Sequence, residues 1–131
     1  MNDTLAAVET NGLGKRYGTK WGLRNCTFSL PKGRVAALVG SNGAGKSTLL
    51  RMAAGITRPT TGDIAVFGTS PGLRSMDALI RIGYLDQERP LYKTFKVSEM
   101  LRMGRELNPR WDDSAARSYL SDLDIPLNAR V

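Results

Sequence analysis

Hydrophobic positions change their period several times along the chain, and each change predicts an element. Cys26, Phe28 and Leu30 alternate with Thr27 and Ser29, the period of a strand with one buried face. Pro31-Lys32-Gly33 then predicts a turn, and the unbroken run Val35-Ala36-Ala37-Leu38-Val39 predicts a buried strand. Leu49, Leu50, Met52 and Ala53 repeat at helical spacing before Gly55 offers a stop. Gly62-Asp63 opens a second short strand, Ile64-Ala65-Val66-Phe67, and Gly68 closes it. A Ser-Pro-Gly turn at 70–72 precedes a short helix predicted around Asp77 to Arg81, and Ile82-Gly83-Tyr84-Leu85 reads as another buried strand. After residue 90 the character becomes helical. Val97, Met100, Leu101, Gly104 and Leu107 mark one helix face, ended by Asn108-Pro109. Asp112 or Asp113 caps a second helix, whose Ala116, Tyr119, Leu120 and Leu123 fall at i, i+3, i+4, i+7. The expected organisation is a core over 1–90 followed by a helical region over 91–131.

Between the strand run and the first helix lies GSNGAGKST, residues 40–48. Gly40, Gly45, Lys46 and Ser47 satisfy G-x-x-x-x-G-K-[ST], the phosphate-binding P-loop pattern. A loop placed there aims several backbone N–H groups at one point, and the positive end of the helix adds attraction for an anion. Glycines let the main chain approach phosphate oxygens without a Cβ in the way. Gly40, Ser41, Asn42, Gly43, Ala44, Gly45, Lys46, Ser47 and Thr48 are therefore the candidate phosphate cradle. Lys46 is expected to reach the β and γ phosphates, and the Ser47 hydroxyl to hold Mg²⁺, which prefers oxygen ligands. The fold class this predicts is α/β, built on a P-loop NTPase core.

Composition narrows the chemistry. The 131 residues, 41% hydrophobic, suffice for a core, and the single Cys26 excludes an internal disulfide and leaves a small buried residue as its expected role. There is no histidine, so neither the commonest general base nor the commonest transition-metal ligand is available. No apolar stretch approaches the ~20 residues that would span a bilayer, and MNDTLAAVETNG lacks the basic start and apolar centre of a signal peptide. A soluble, cytoplasmic chain is expected. The net charge of +7 invites a nucleic-acid reading, but the cations are scattered, without runs or interleaved aromatics, so no specific nucleic-acid partner is expected.

Four blocks, the P-loop among them, decide among P-loop proteins. LGKRYG at 13–18, GSNGAGKSTLL at 40–50, RPTTGDI at 58–64 and IGYLDQERPLY at 82–92 come in the order and spacing of the ATP-binding cassette (ABC) ATPases, which the chain resembles along its whole length. Tyr17 matches the aromatic on which that family stacks adenine. Trp21 is a rival platform at no motif position. Gln87 matches the glutamine whose side-chain carbonyl is thought to touch Mg²⁺ and the attacking water, and whose loop senses the membrane partner. Two departures are visible: Ser41 stands where proline is common, and Lys96 where a threonine usually begins the following helix.

The resemblance implies an antiparallel β lobe beside the P-loop core and part of an α-helical lobe, a truncated cassette that stops before the family's signature loop, its Walker B carboxylates and its switch histidine. With ATP and Mg²⁺ as cofactors, Lys46 and Gln87 would be catalytic, Tyr17 and residues 40–48 nucleotide-binding, and Ser47 and Gln87 metal-holding. It further implies an ABC ATPase in the full-length protein, whereas these 131 residues alone are expected to bind ATP without turning it over. The expected function is ATP-driven movement of a substrate across a membrane, with export preferred. The expected partners are a membrane-spanning subunit docked on the 87–96 loop and helical lobe, and a second cassette, at the inner face of the cell membrane. The alternatives are a soluble ABC-type ATPase acting on ribosomes or DNA, and a regulatory module that only binds nucleotide.

Overall fold

The computed structural model describes residues 6–71, 79–88 and 91–131, in two compact units, Met1–Tyr84 and Leu85–Val131. The division falls a few residues before the sequence-based boundary at 90/91.

In the first unit, strands β1 (Ala6–Tyr17) and β2 (Lys20–Pro31) form a long antiparallel hairpin, and β3 (Thr61–Val66) pairs antiparallel with the other side of β1. The sheet order is β2-β1-β3. Alternation at Cys26, Phe28 and Leu30 produces the expected half-buried face of β2. Thr10 is the buried polar residue of this sheet; its hydroxyl accepts from the Phe28 N–H at 3.0 Å, which removes the penalty of an unpaired group. Helix α1 (Lys46–Ala53) lays Leu49 and Met52 on the sheet against Leu13 and Ile64, with Val8, Leu23, Cys26, Phe28 and Ala53 packed around them. Each such large side chain removed from water contributes about 1.5–3 kcal/mol, so this small cluster is what fixes α1, and the loop before it, on the sheet. Cys26 takes the expected place as a small packing residue.

Two expected strands do not form. Residues 34–40 have no ladder partner among the described residues, and Val35, Leu38 and Val39 are exposed. Ile82-Gly83-Tyr84-Leu85 is likewise outside any strand, with Leu85 exposed. The physical reason is common to both. A continuous apolar run encodes a strand covered on both faces, and such a strand exists only where neighbours supply its hydrogen bonds and its cover. The described residues supply neither. The turn expected at 70–72 and the helix around Asp77 to Arg81 fall largely outside the described residues.

In the second unit, α2 (Val97–Leu107) and α3 (Asp113–Asp122) form as expected. Lys96 has no hydroxyl to cap α2, but its backbone N–H donates to the Glu99 carboxylate at 2.7 Å, so the N-terminal turn is closed from the other side. Asp112 caps α3, accepting from the Ala115 N–H at 2.8 Å. Trp111 packs on Gly104, where a Cβ would come within 2.7 Å of the ring, and its Nε1–H donates to Asp113. Hydrogen bonds first from Arg117 and then from Trp111 hold the Asp113 carboxyl below the usual carboxylate range. An apolar groove of about 670 Å³, lined by Leu91, Met100, Leu107, Trp111, Leu120 and Ile125 among others, runs along this unit.

Candidate functional site

The loop at 40–48 is shaped by its own backbone. Ala44 N–H donates to the Ser41 carbonyl at 3.1 Å, and Gly45 adopts φ +89°, a left-handed conformation that starts α1. Gly45 caps the helix without a side chain, no acidic residue stands in the first turn, and the first intrahelical bond is Leu49 N–H to the Gly45 carbonyl at 2.9 Å. The earlier N–H groups of the helix are thus left pointing towards the loop's opening, where the positive end of the helix dipole also lies.

Lys46 completes the ring. Its Nζ donates to the Gly40 and Ser41 carbonyls, both at 2.7 Å, so the side chain bends back over the loop that precedes it. Two of its three ammonium donors are used in this way, and the charge is held at the mouth. Ser41 acts here through its carbonyl, which any residue supplies; the departure from proline therefore leaves the geometry intact. Asn42 and Gly43 form the exposed tip. Ser47 stands exposed on the first turn of α1, and Thr48 is half-buried against β2.

The β lobe meets the loop at Gly22 and Leu23. A Cβ on Gly45 would come within 2.5 Å of the Gly22 carbonyl and 2.9 Å of Leu23 Cδ1, so the loop backbone rests directly on β2. A Cβ on Gly22 would in turn meet Tyr17 Cε2 at 2.8 Å and Thr48 Oγ1 at 3.2 Å. Tyr17, half-exposed at 49%, is therefore brought beside the P-loop helix. Its ring also faces Lys15 Nζ, 5.5 Å from the centroid, and that ammonium is anchored on the Arg58 carbonyl at 2.8 Å. Trp21 is placed differently: the guanidinium groups of Arg16 and Arg24 lie 5.8 and 5.5 Å from its ring centre, and it packs against Gly14 of β1. Gln87 lies in the second unit, exposed in the turn after Asp86, whose carboxylate accepts from the Glu88 N–H at 3.1 Å. Sequence reasoning missed Gly22 and Lys15. A glycine inside an alternating strand pattern was the available signal for the first, since it marks a close approach of another backbone or ring.

Among the described residues, no group of three or more His, Cys, Asp or Glu side chains forms a metal cage. The donor set near the loop is the Ser47 hydroxyl, which suits an ion that shares phosphate oxygens and keeps its waters, as Mg²⁺ does. The arrangement as a whole can receive a polyphosphate on a backbone cradle with one fixed cation and a half-exposed aromatic ring beside it.

Comparison with known proteins places the chain in a family. The profile of the family described as ABC transporter matches residues 23–131. The chain is 36% identical over 119 residues to the aliphatic sulfonates import ATP-binding protein SsuB of Burkholderia ambifaria, covering 91% of this chain and 34% of that protein. It is 35% identical to the lantibiotic transport ATP-binding protein SrtF of Streptococcus pyogenes, covering 73% of this chain and 41% of that one. Its fold matches that of a dimeric ATP-binding cassette in a post-hydrolysis state with ADP and phosphate bound, with a TM-score of 0.74 at 19% identity, over 94% of this chain and 61% of the other. The chain thus spans between a third and two-fifths of the lengths of these two relatives. No helix among the described residues is long and apolar enough to cross a membrane.

Proposed function

This chain belongs to the ABC transporter family, and from that premise we propose that it is the ATP-binding part of a transporter ATPase that holds Mg-ATP in the 40–48 loop. The observation that carries this reading is the Lys46 ammonium fixed over the loop mouth by two carbonyls, at the N-terminus of a helix that has no side-chain cap. In this reading backbone N–H groups of residues 43–48 bind the β-phosphate, and Lys46 neutralises charge shared by the β and γ phosphates, where it builds up as the bond between them breaks. The Ser47 hydroxyl and Gln87 would hold Mg²⁺, which supplies charge stabilisation on the phosphate oxygens. Gln87 would orient the attacking water through its side-chain carbonyl. Tyr17 would stack on adenine. Replacing Tyr17 by alanine is expected to weaken ATP binding by roughly 1 to 3 kcal/mol, while ATP and GTP compete within about tenfold, since stacking hardly distinguishes purines. Trp21→Ala, measured alongside by calorimetry, should be nearly silent; the reverse pattern would make Trp21 the platform.

The likeness to the sulfonate importer and the lantibiotic transport protein supports coupling of ATP use to transport, and the preference for export finds no support in it. We propose further that the 87–96 segment and the helical unit receive a membrane-spanning subunit, that a second cassette completes the ATPase, and that the protein sits at the inner face of the cell membrane. The dimeric cassette of like fold supports the second of these. Tyr92 is exposed, and its ring stacks on Phe95 with centroids 5.1 Å apart, so an apolar pair is presented in a stretch where a solvated loop would carry polar residues. Tyr92→Glu or Phe95→Glu in the full-length protein is expected to leave ATP affinity within about twofold and to abolish stimulation of ATPase activity by the membrane partner. Co-purification from membranes, followed by ATPase assays with and without that partner, tests it. Protein that stays wholly soluble and sediments with ribosomes or nucleic acid would favour the soluble ATPase instead.

A further inference from the structure

We propose that Gly22 is a positioning residue for the nucleotide: the space left by its missing side chain is the seat on which the Tyr17 ring lies beside the P-loop helix. The proposal rests on the ATP-binding reading and adds a residue that carries none of the nucleotide-binding motifs. Tyr17 closes β1 and pairs with Lys20 across the hairpin, and Gly22, two residues further along β2, is the residue without a partner where the register shifts between Arg16↔Trp21 and Lys15↔Leu23. The ring has settled onto that glycine. A Cβ at Gly22 would stand 2.8 Å from Tyr17 Cε2, 3.1 Å from Cδ2 and 3.2 Å from Thr48 Oγ1, so ring and hydroxyl converge on one glycine.

The Gly22 carbonyl meanwhile lies under Gly45. One residue therefore touches both the aromatic platform and the phosphate loop, and the distance between base site and phosphate site is set through it. Lys15, anchored on the Arg58 carbonyl, restrains the same ring from 5.5 Å. With ring edge and ring face both restrained, the half-exposed remainder is presented in a fixed orientation. Such preorganisation is what makes a stacking contact effective, because the ring then loses little freedom on binding.

The test is Gly22→Ala. Gly22 lies within β2 and is not among the glycines with positive φ, so alanine fits the backbone there and the fold should persist; the three atoms nearest to its Cβ position are those of Tyr17 and Thr48. The ring must move outward. ATP affinity is expected to fall about five- to tenfold, whereas tripolyphosphate, which has no base, should bind the variant as it binds the parent. In a Tyr17→Ala background the same substitution should change ATP affinity by less than about twofold, the signature of two residues acting as one unit. Equal losses for ATP and tripolyphosphate would mean that Gly22 acts through the loop, and unchanged ATP affinity would mean that the ring needs no seat; either overturns the proposal. If Gly22→Ala alone fails to fold, recovery of folding in the double variant supports the ring contact, and failure there too refutes it. A parent protein that binds neither ligand would bring down the ATP-binding reading and the seat with it, while a parent that binds both equally well would remove the seat alone.

Discussion

Replacing Lys46 by alanine is expected to weaken ATP binding by about 2 to 4 kcal/mol, roughly 30- to 800-fold. The size follows from where the charge is held. Lys46 spans the loop and places its ammonium on the Gly40 and Ser41 carbonyls, so the cation is already held at the loop mouth and needs little further ordering to meet a polyphosphate there. Among the residues of the 40–48 loop it is the sole cation, and no acidic side chain stands in the first turn of α1 to offset it. Arginine should not substitute. Its planar fork does not match two carbonyls approached by one compact ammonium, so Lys46→Arg is expected to keep most of the loss. Calorimetric titration of Mg-ATP into parent and variants of equal thermal stability measures the difference. Unchanged affinity in the alanine variant would remove the phosphate assignment altogether.

How much was legible in the sequence depended on where each element finds its partners. The Cys26–Leu30 half of β2 and α1 were readable because one buried face leaves a clean alternation, at Cys26, Phe28 and Leu30, or a helical stripe, at Leu49 and Met52, whereas β1 (Ala6–Tyr17), and with it the hairpin, was not predicted. The cap of α3 was readable because Asp112 carries its own signal; no cap was predicted for α2, where the Glu99 carboxylate accepts from the Lys96 N–H. The runs at 35–39 and 82–85 misled for the opposite reason. Their composition encodes burial by neighbours that are absent from the described residues, and periodicity reports a residue's preference without reporting whether it is met. At the candidate site the pattern in 40–48 carried the loop, whereas the seat under Tyr17 was hidden. Gly22 matters through a ring and a hydroxyl that lie five residues before it and twenty-six after it, a juxtaposition that depends on the hairpin register and the packing of α1 together.

The same close approach of backbone to backbone makes Gly62 the position where one methyl group should do most damage to the fold. Gly62 stands at the start of β3 with φ +66°, and a Cβ there would fall inside the contact distance of the Gly12 carbonyl and of the Asn11 oxygen. These atoms belong to β1, the central strand of the sheet, so they cannot swing aside as a side chain would without opening the β1–β3 ladder. Ile64 and Val66, which bury the apolar face of β3, would be displaced with it, and Ile64 belongs to the cluster that holds α1. Gly68 provides the matched control. It has a similar φ of +79° but nothing within 4 Å of its Cβ position, so alanine there meets only the conformational penalty, about 1 to 2 kcal/mol. Gly62→Ala adds the collision and the loss of packed apolar surface, and is expected to destabilise by about 4 kcal/mol or more, most of the stability of a domain at the low end of the ordinary range. Urea denaturation followed by circular dichroism on the two variants separates the effects, since both carry the same change in the unfolded chain. Equal midpoints for Gly62→Ala and Gly68→Ala would show that β1 and β3 can part at no cost. Nucleotide binding would then be expected to survive both substitutions, because Leu13 of β1 and Leu23 of β2 would still hold α1 and its loop.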